Sequence, residues 1–308
     1  MSRNLTLQHS DYTVAWICAV PLELEVSKLM FDKRHNGLPN AHDTVTVYEL
    51  GSMGRHNVVM ASLPTKQIGN QSAASVTEKL VRTFPSVRVA LLVGYGGGVP
   101  GGHRDIRLGD IVVNQPDGQF TGVLKYGDLS GNQISKTRIN LSMPYSKEIL
   151  DSLSRLKAGA GAHLTSNMKA TSEKPKARNV GANVDYPGTQ FDLLFQANYD
   201  HMGEYFCGKC DRTKLVPRRN RASTAPVVHY GNIGSVEKTL KLTGMRDKLG
   251  KDDDVLCFEM EAAGVLKHLP CLTFRGISDY ADSHKNRRWK GYAAMGAAAH
   301  AKEFLSLM

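Results

Sequence analysis

Four short segments hold residues whose types and neighbours suit chemistry. Glu23 follows the apolar run 14–20 and Pro21, which places it at the start of a helix, where a carboxylate is favoured by the helix dipole. A helix-capping acid is the ordinary alternative, and Glu25 points elsewhere on the same helix. Val93-Gly94-Tyr95-Gly96-Gly97-Gly98 ends a second apolar run; its glycines let backbone approach a ligand and turn N–H groups towards an anion or an oxygen. The segment matches neither GxGxxG nor the P-loop, so alone it reads equally as a turn cluster.

The third segment, Cys257-Phe258-Glu259-Met260-Glu261-Ala262-Ala263-Gly264, sets two acids across a strand-to-helix junction. Carboxylates only accept hydrogen bonds, so such a pair suits two neighbouring sugar hydroxyls, although helix N-termini are rich in acids anyway. In the fourth, Arg275 ends a strand and Ser278, Asp279 and Asp282 follow. An acid there, partly removed from water, can hold a proton at neutral pH and donate it; an Asp-rich surface turn is the plain alternative.

The elements that must position these residues follow from pattern. Buried strands are expected at 14–20, 87–93, 108–114, 227–231, 255–258 and 271–276, with a strand pair at 44–50 and 57–62. Helices are expected at 21–31, 70–84, 144–156, 259–268 and 289–307, the first opened by Pro21. Strands and helices alternate, which predicts an α/β fold: three αβα layers around a mixed central sheet, in one domain spanning 11–308. Residues 157–186 are weakly patterned and polar, and read as an insertion or a mobile loop. Open sheets of this kind bind ligands outside the carboxyl ends of their strands, where all four segments fall.

Composition excludes several classes. Apolar runs are strand-sized, no secretory signal is visible, and five scattered cysteines argue for a reducing compartment, so a cytoplasmic protein without membrane contact is expected. Cys207-Gly208-Lys209-Cys210 is a CxxC without a second pair; even with His201 it reads as a structural or incidental pair, and no metal or other cofactor is expected. A formal charge of +10 favours anionic partners, phosphorylated small molecules or nucleic acid, over a merely basic surface only evenly.

Taken together, these segments resemble the nucleoside phosphorylase and nucleosidase superfamily, especially the domain at the front of many fungal multidomain proteins. The resemblance runs from about residue 11 to the end and is most specific over 258–264 and 275–285, with support from 19–23, 93–98, 108–112 and 229–231. It implies a nucleoside phosphorylase-like fold and catalytic roles for Asp279, as the acid serving the purine N7 side, Glu261, gripping the ribose hydroxyls, and Glu23, orienting an attacking water. Substrate would also meet Tyr95, Gly96, Gly97, Met260, Glu259, Arg275 and Ser278.

Two departures shape the expected reaction. Phosphorolytic relatives of the bacterial hexameric type carry a phosphate-holding arginine where this chain has Leu92, so hydrolysis is expected, with phosphorolysis as the alternative should Arg55 or a neighbouring subunit supply positive donors. Nucleosidases of the methylthioadenosine type place a base-stacking aromatic shortly after the segment matching 229–231, but here Asn232, Ile233, Gly234 and Ser235 follow; Tyr186, Phe191 or Tyr230 is then the expected base clamp. The basic residues Lys209, Arg212, Lys214, Arg218, Arg219 and Arg221 are expected to reach the ribose 5′ end and bind phosphates. The expected substrate is therefore an adenine nucleotide or nucleoside (ATP, ADP, AMP or adenosine), cleaved to free adenine. A non-catalytic nucleotide sensor or nucleic-acid-binding module is the other alternative. The resemblance further implies a homo-oligomer, and a place in a larger regulatory protein if the chain is a fragment.

Overall fold

Buried apolar runs become the strands of one mixed sheet, and the polar-faced segments between them become its helical cover. A computed structural model describes residues 7–39, 47–101, 104–127, 134–142, 144–159, 161–203, 206–238, 243–285 and 287–308. In chain order the strands are β1 (Val14–Cys18), β2 (Lys33–Arg34), β3 (Tyr48–Met53), β4 (His56–Ser62), β5 (Val89–Gly98), β6 (Ile111–Asn114), β7 (Phe120–Tyr126), β8 (Lys136–Asn140), β9 (Val228–Ser235), β10 (Val255–Glu259) and β11 (Cys271–Asp279). The helices are α1 (Pro21–Lys28), α2 (Asn70–Thr83), α3 (Lys147–Ala158), α4 (Leu164–Ser172), α5 (Thr243–Asp253), α6 (Ala262–Val265) and α7 (Lys290–Leu307). The α/β class with a mixed central sheet is thus the one expected.

The strand order is β2-β3-β4-β1-β5-β11-β6-β9-β7-β8. At the centre β5 runs parallel to both β1 and β11, all three fully buried along most of their length, which explains their continuous apolar character. β10 lies off this path: it pairs antiparallel with the end of β5 at Gly97 and Gly98 and parallel with β9. With β6 bonded to both β11 and β9, the strands β5, β11, β6, β9 and β10 close into a ring.

Helix α7 is alanine-rich and buried almost throughout, so it can lie tight on β5 and β11, flanked by α1, α3 and α4. α2 packs on α6. The segment 157–186 contains α4, whose Leu164, Met168 and Thr171 are buried. The first expected hairpin strand is found as β3, which runs three residues past its expected end at 50; residues 44–46 of that expectation lie outside the described residues. Among the described residues no helix is long and apolar enough to cross a membrane.

Candidate active site

The carboxyl ends of β1, β5, β10 and β11 meet around a cavity of about 320 Å³. Glu23, Tyr95, Gly96, Gly97, Glu259, Met260, Glu261, Arg275 and Asp279 all line it, so the four segments separated by up to 256 residues in sequence converge on one space. Its apolar wall is Val20, Ile68, Val236, Phe258 and Ala281, and its rim carries Lys285, Arg287 and Lys290.

Arg275 organises the floor. It has no exposed surface, and its guanidinium stands 2.8 Å from Glu259, 3.0 Å from Glu261 and 3.8 Å from Glu23. Burial alone would favour its neutral form, but the three carboxylates outweigh that and hold the guanidinium more firmly charged than an exposed arginine. One cation cannot neutralise three acids. Burial accordingly pushes the Glu261 carboxyl up to about 7, with Arg275 opposing and Glu259 and Glu23 adding to the rise. The Glu23 carboxyl is raised too, by burial first, against the pull of Arg275 and the N–H groups of Tyr95, Ala19 and Val20.

Each acid is held by a distinct local device. Glu23 lies one turn into α1 and reaches back to cap it: Oε2 accepts the N–H of Ala19 at 2.7 Å and of Val20 at 3.2 Å, and Oε1 accepts that of Tyr95 at 2.9 Å. Oε1 retains a lone pair for a further donor. This carboxylate fits only because residue 94 has no side chain, since a Cβ there would lie 2.1 Å from Oε1. Glu259 Oε2 accepts the N–H groups of Glu261 and Ala262 as well as Arg275, which makes it a brace for the β10–α6 junction. Glu261 receives the N–H of Gly69 on Oε1 and of Met260 on Oε2, each at 3.3 Å.

Asp279 ends β11 and lines the same cavity. Its Oδ1 accepts the N–H of Ala281 at 2.9 Å and Lys285 Nζ at 2.5 Å, while Ser278 Oγ donates to Oδ2 at 3.1 Å. Ser278 therefore positions Asp279 from outside the cavity lining. Lys290 Nζ sits 3.3 Å from the Tyr95 hydroxyl and 4.8 Å above its ring, and burial lowers its pKa.

The remaining expected residues lie elsewhere. Tyr186 packs edge-on against Trp289 and Tyr292 beside a separate cavity of about 440 Å³. Phe191 lies beneath the Arg288 guanidinium at 3.9 Å, and the Tyr230 hydroxyl bonds His300 at 3.0 Å. None of the three lines the cavity holding the acids. Arg218 and Arg221 border the second cavity and are engaged by Asp192 at 2.9 Å and Asp110 at 2.7 Å. Lys209, Arg212, Lys214 and Arg219 are exposed and line neither. Arg55 pairs with Glu148 at 3.1 Å, and Leu92 is buried within β5. Sequence reasoning missed Phe258, Val236, Lys285, Arg287 and Lys290 as lining residues. Val236 stands one position beyond the stretch 232–235 searched for an aromatic, and Lys285 belongs to the very motif that carried the resemblance.

No protein-family model matches the chain. It is 35% identical, over 99% of its length, to a nucleotide-binding leucine-rich repeat (NLR)-like protein of Hyaloscypha variabilis, and spans about 30% of that relative's length. Among solved structures it resembles futalosine hydrolase of Helicobacter pylori, with a TM-score of 0.59 at 15% identity, covering 98% of this chain and 100% of that one. It also resembles 5′-methylthioadenosine/S-adenosylhomocysteine nucleosidase of Neisseria meningitidis, with a TM-score of 0.56 at 16% identity over 96% and 99% of the two chains. The corresponding Streptococcus pneumoniae enzyme gives a TM-score of 0.57 at 15% identity over 96% and 100%. The chain has the mixed-sheet α/β fold of these nucleosidase structures.

Proposed function

We propose that the protein hydrolyses the N-glycosidic bond of an adenine nucleoside or nucleotide and releases adenine. The observation that carries this reading is that Glu23, Glu261 and Asp279 line one and the same cavity. Breaking the bond leaves positive charge on the ribose ring and negative charge on the base. Asp279 gives a proton to the base on its N7 side; ionised Glu261 accepts the ribose hydroxyls and steadies the electron-poor ring. Water held at the open lone pair of Glu23 adds its hydroxyl to the ribose carbon and gives its proton to Glu23; the bond to the base breaks, adenine leaves with the proton from Asp279, and Glu23 and Asp279 return to their starting states by proton exchange with solvent. The wall of Phe258, Val236 and Met260 takes the place of the aromatic clamp.

The attacking side favours water over phosphate. Among the described residues the buried cation there, Arg275, is already shared among three carboxyl groups, so an incoming phosphate would compete with them for it. A neutral nucleophile meets no such barrier. For the substrate's 5′ group, Lys285, Arg287 and Lys290 are cations that line the cavity apart from the buried Arg275, and they support a phosphorylated substrate in place of the stretch 209–221. The NLR-like relative, of which this chain matches about 30%, supports a role as one module of a longer regulatory protein.

Incubation with ATP, ADP, AMP and adenosine, with and without inorganic phosphate, tests the proposal by chromatography of the products. Free adenine and a ribose or ribose phosphate released from water alone are expected. Adenine appearing only with phosphate, together with ribose 1-phosphate, would overturn the hydrolytic reading.

A further inference from the structure

The CxxC turn does not stand alone in the fold. Cys207 and Cys210 are both buried, on either side of a single 3₁₀ turn, and the chain brings His201 to them: one ligand atom from each of the three lies within 4.8 Å of the others. A tetrahedral zinc ion with Zn–S bonds of about 2.3 Å and Zn–N bonds of about 2.0 Å sets its ligand atoms about 3.5–3.8 Å apart, so a contraction of about 1 Å would bring these three donors to zinc-binding distance. The Met202 N–H donates to Cys210 Sγ at 3.4 Å, fixing that sulfur beside His201.

A second histidine borders the same cluster. His284 is 5% exposed, its ring centroid lies 5.4 Å from that of His201, and its face stacks on Phe195 at 4.1 Å. Its Nε2 is buried without a hydrogen-bond partner, which is costly for a polar atom unless something absent from the protein chain completes it. On the other side of the ring, Nδ1 stands 3.9 Å from an Asp282 carboxylate oxygen, beyond hydrogen-bond distance, and the His284 backbone N–H donates to that oxygen at 2.9 Å.

We propose that His201, Cys207, Cys210 and His284 bind one structural zinc ion. Two thiolates and two imidazoles form a closed donor set that suits zinc, with no open position for chemistry. The ion would tie segment 201–210 to the loop 279–285, which the His201 N–H already touches through Ser283 Oγ at 3.1 Å. That loop carries Asp279 and Lys285, so the metal would hold one wall of the cavity in place without touching substrate. The site is independent of the reaction proposed above.

The test is the zinc content of the full chain, purified under reducing conditions without chelator and measured by elemental mass spectrometry. About one zinc per chain is expected in the wild type, falling to background in a Cys207→Ser/Cys210→Ser variant whose circular dichroism is retained. Cobalt substitution should give the thiolate charge-transfer and intense visible bands of a tetrahedral site, and His284→Gln should weaken zinc retention against a competing chelator at least about tenfold. Reduced wild-type protein that neither carries zinc nor takes it up overturns the proposal, as does zinc retained in full by the double cysteine variant. A wild-type zinc affinity in His284→Gln would remove His284 as the fourth ligand. Should the cysteine variants fail to fold, the cobalt spectrum of the wild type decides alone: bands without thiolate charge transfer refute the site.

Discussion

Replacing Gly94 by alanine sets a methyl group inside the carboxylate cluster. The added Cβ would stand 2.1 Å from Glu23 Oε1, 2.3 Å from its Cδ and 2.6 Å from Arg275 Nη1. Contact closer than 3.0 Å is not tolerated, so the Glu23 carboxylate must retreat by about 0.9 Å. It is pinned by three backbone N–H groups and cannot swing aside without releasing at least one. A displacement of about 1 Å in a catalytic group costs about 10²-fold in rate, or about 2.7 kcal/mol of transition-state stabilisation. Overpacking of this kind also costs about 1–3 kcal/mol of stability. The assay is kcat/KM for adenine release beside thermal denaturation. Gly244→Ala serves as the control, because a Cβ there meets nothing within 4 Å. Gly94→Ala with kcat/KM within about twofold of wild type and unchanged Tm would refute the placement of Glu23 in the reaction.

Four further outcomes are expected. Asp279→Asn should lower kcat about 10²–10⁴-fold while KM changes little, since the amide cannot give up a proton to the base; near-normal turnover would remove Asp279 as the acid. The Glu261 carboxyl, held near 7, should make kcat/KM rise with pH through about 7, and Glu261→Gln should abolish that limb along with most activity; a flat profile from about pH 5 to 8 would contradict the role. Because this folded pKa is raised above its ordinary 4.5, the folded chain holds the proton longer than the unfolded one, so Glu261 contributes stability that is full below about pH 4.5 and is lost as pH climbs through about 7, as denaturant titrations at several pH values would show. Lys290→Met should reduce kcat/KM for AMP and ATP about 10–100-fold more than for adenosine, and equal losses on all three would separate Lys290 from the phosphates.

The parts of the fold legible in sequence were those dominated by burial on both faces. β1, β5 and β11 are near-continuous apolar runs, and a short strand followed by Pro21 leaves α1 little choice of starting point. β7 escaped notice because it does not behave as a regular strand: Gly122 adopts φ +77° inside it, and its pairing with β8 slips between Phe120 and Leu124. α5 contains two glycines and a run of charges, so its few buried positions, Thr243, Arg246 and Leu249, carry no apolar stripe. In the site, acids at strand ends could be found because charge is conspicuous where water is scarce. Apolar cavity-lining residues such as Phe258 and Val236 could not, since in sequence they are indistinguishable from core. The placement of the basic stretch was not legible for a different reason: charge composition records how many cations there are, not that Asp110 and Asp192, distant in sequence, engage two of them.

The way β10 closes the ring of strands has a consequence for ligand recognition. Anything seated in the cavity touches β1's end, the residues before α2, the last turn of β5, the β10–α6 junction and the start of α7 at once. Those pieces span most of the chain, so an occupant acts as a clasp on the whole molecule: it can leave only if the protein stays folded around an empty pocket, and unfolding must first expel it. Saturating adenine analogue at a hundred times its dissociation constant would add about 2.7 kcal/mol to global stability, felt as far away as the outer strands that never meet the ligand.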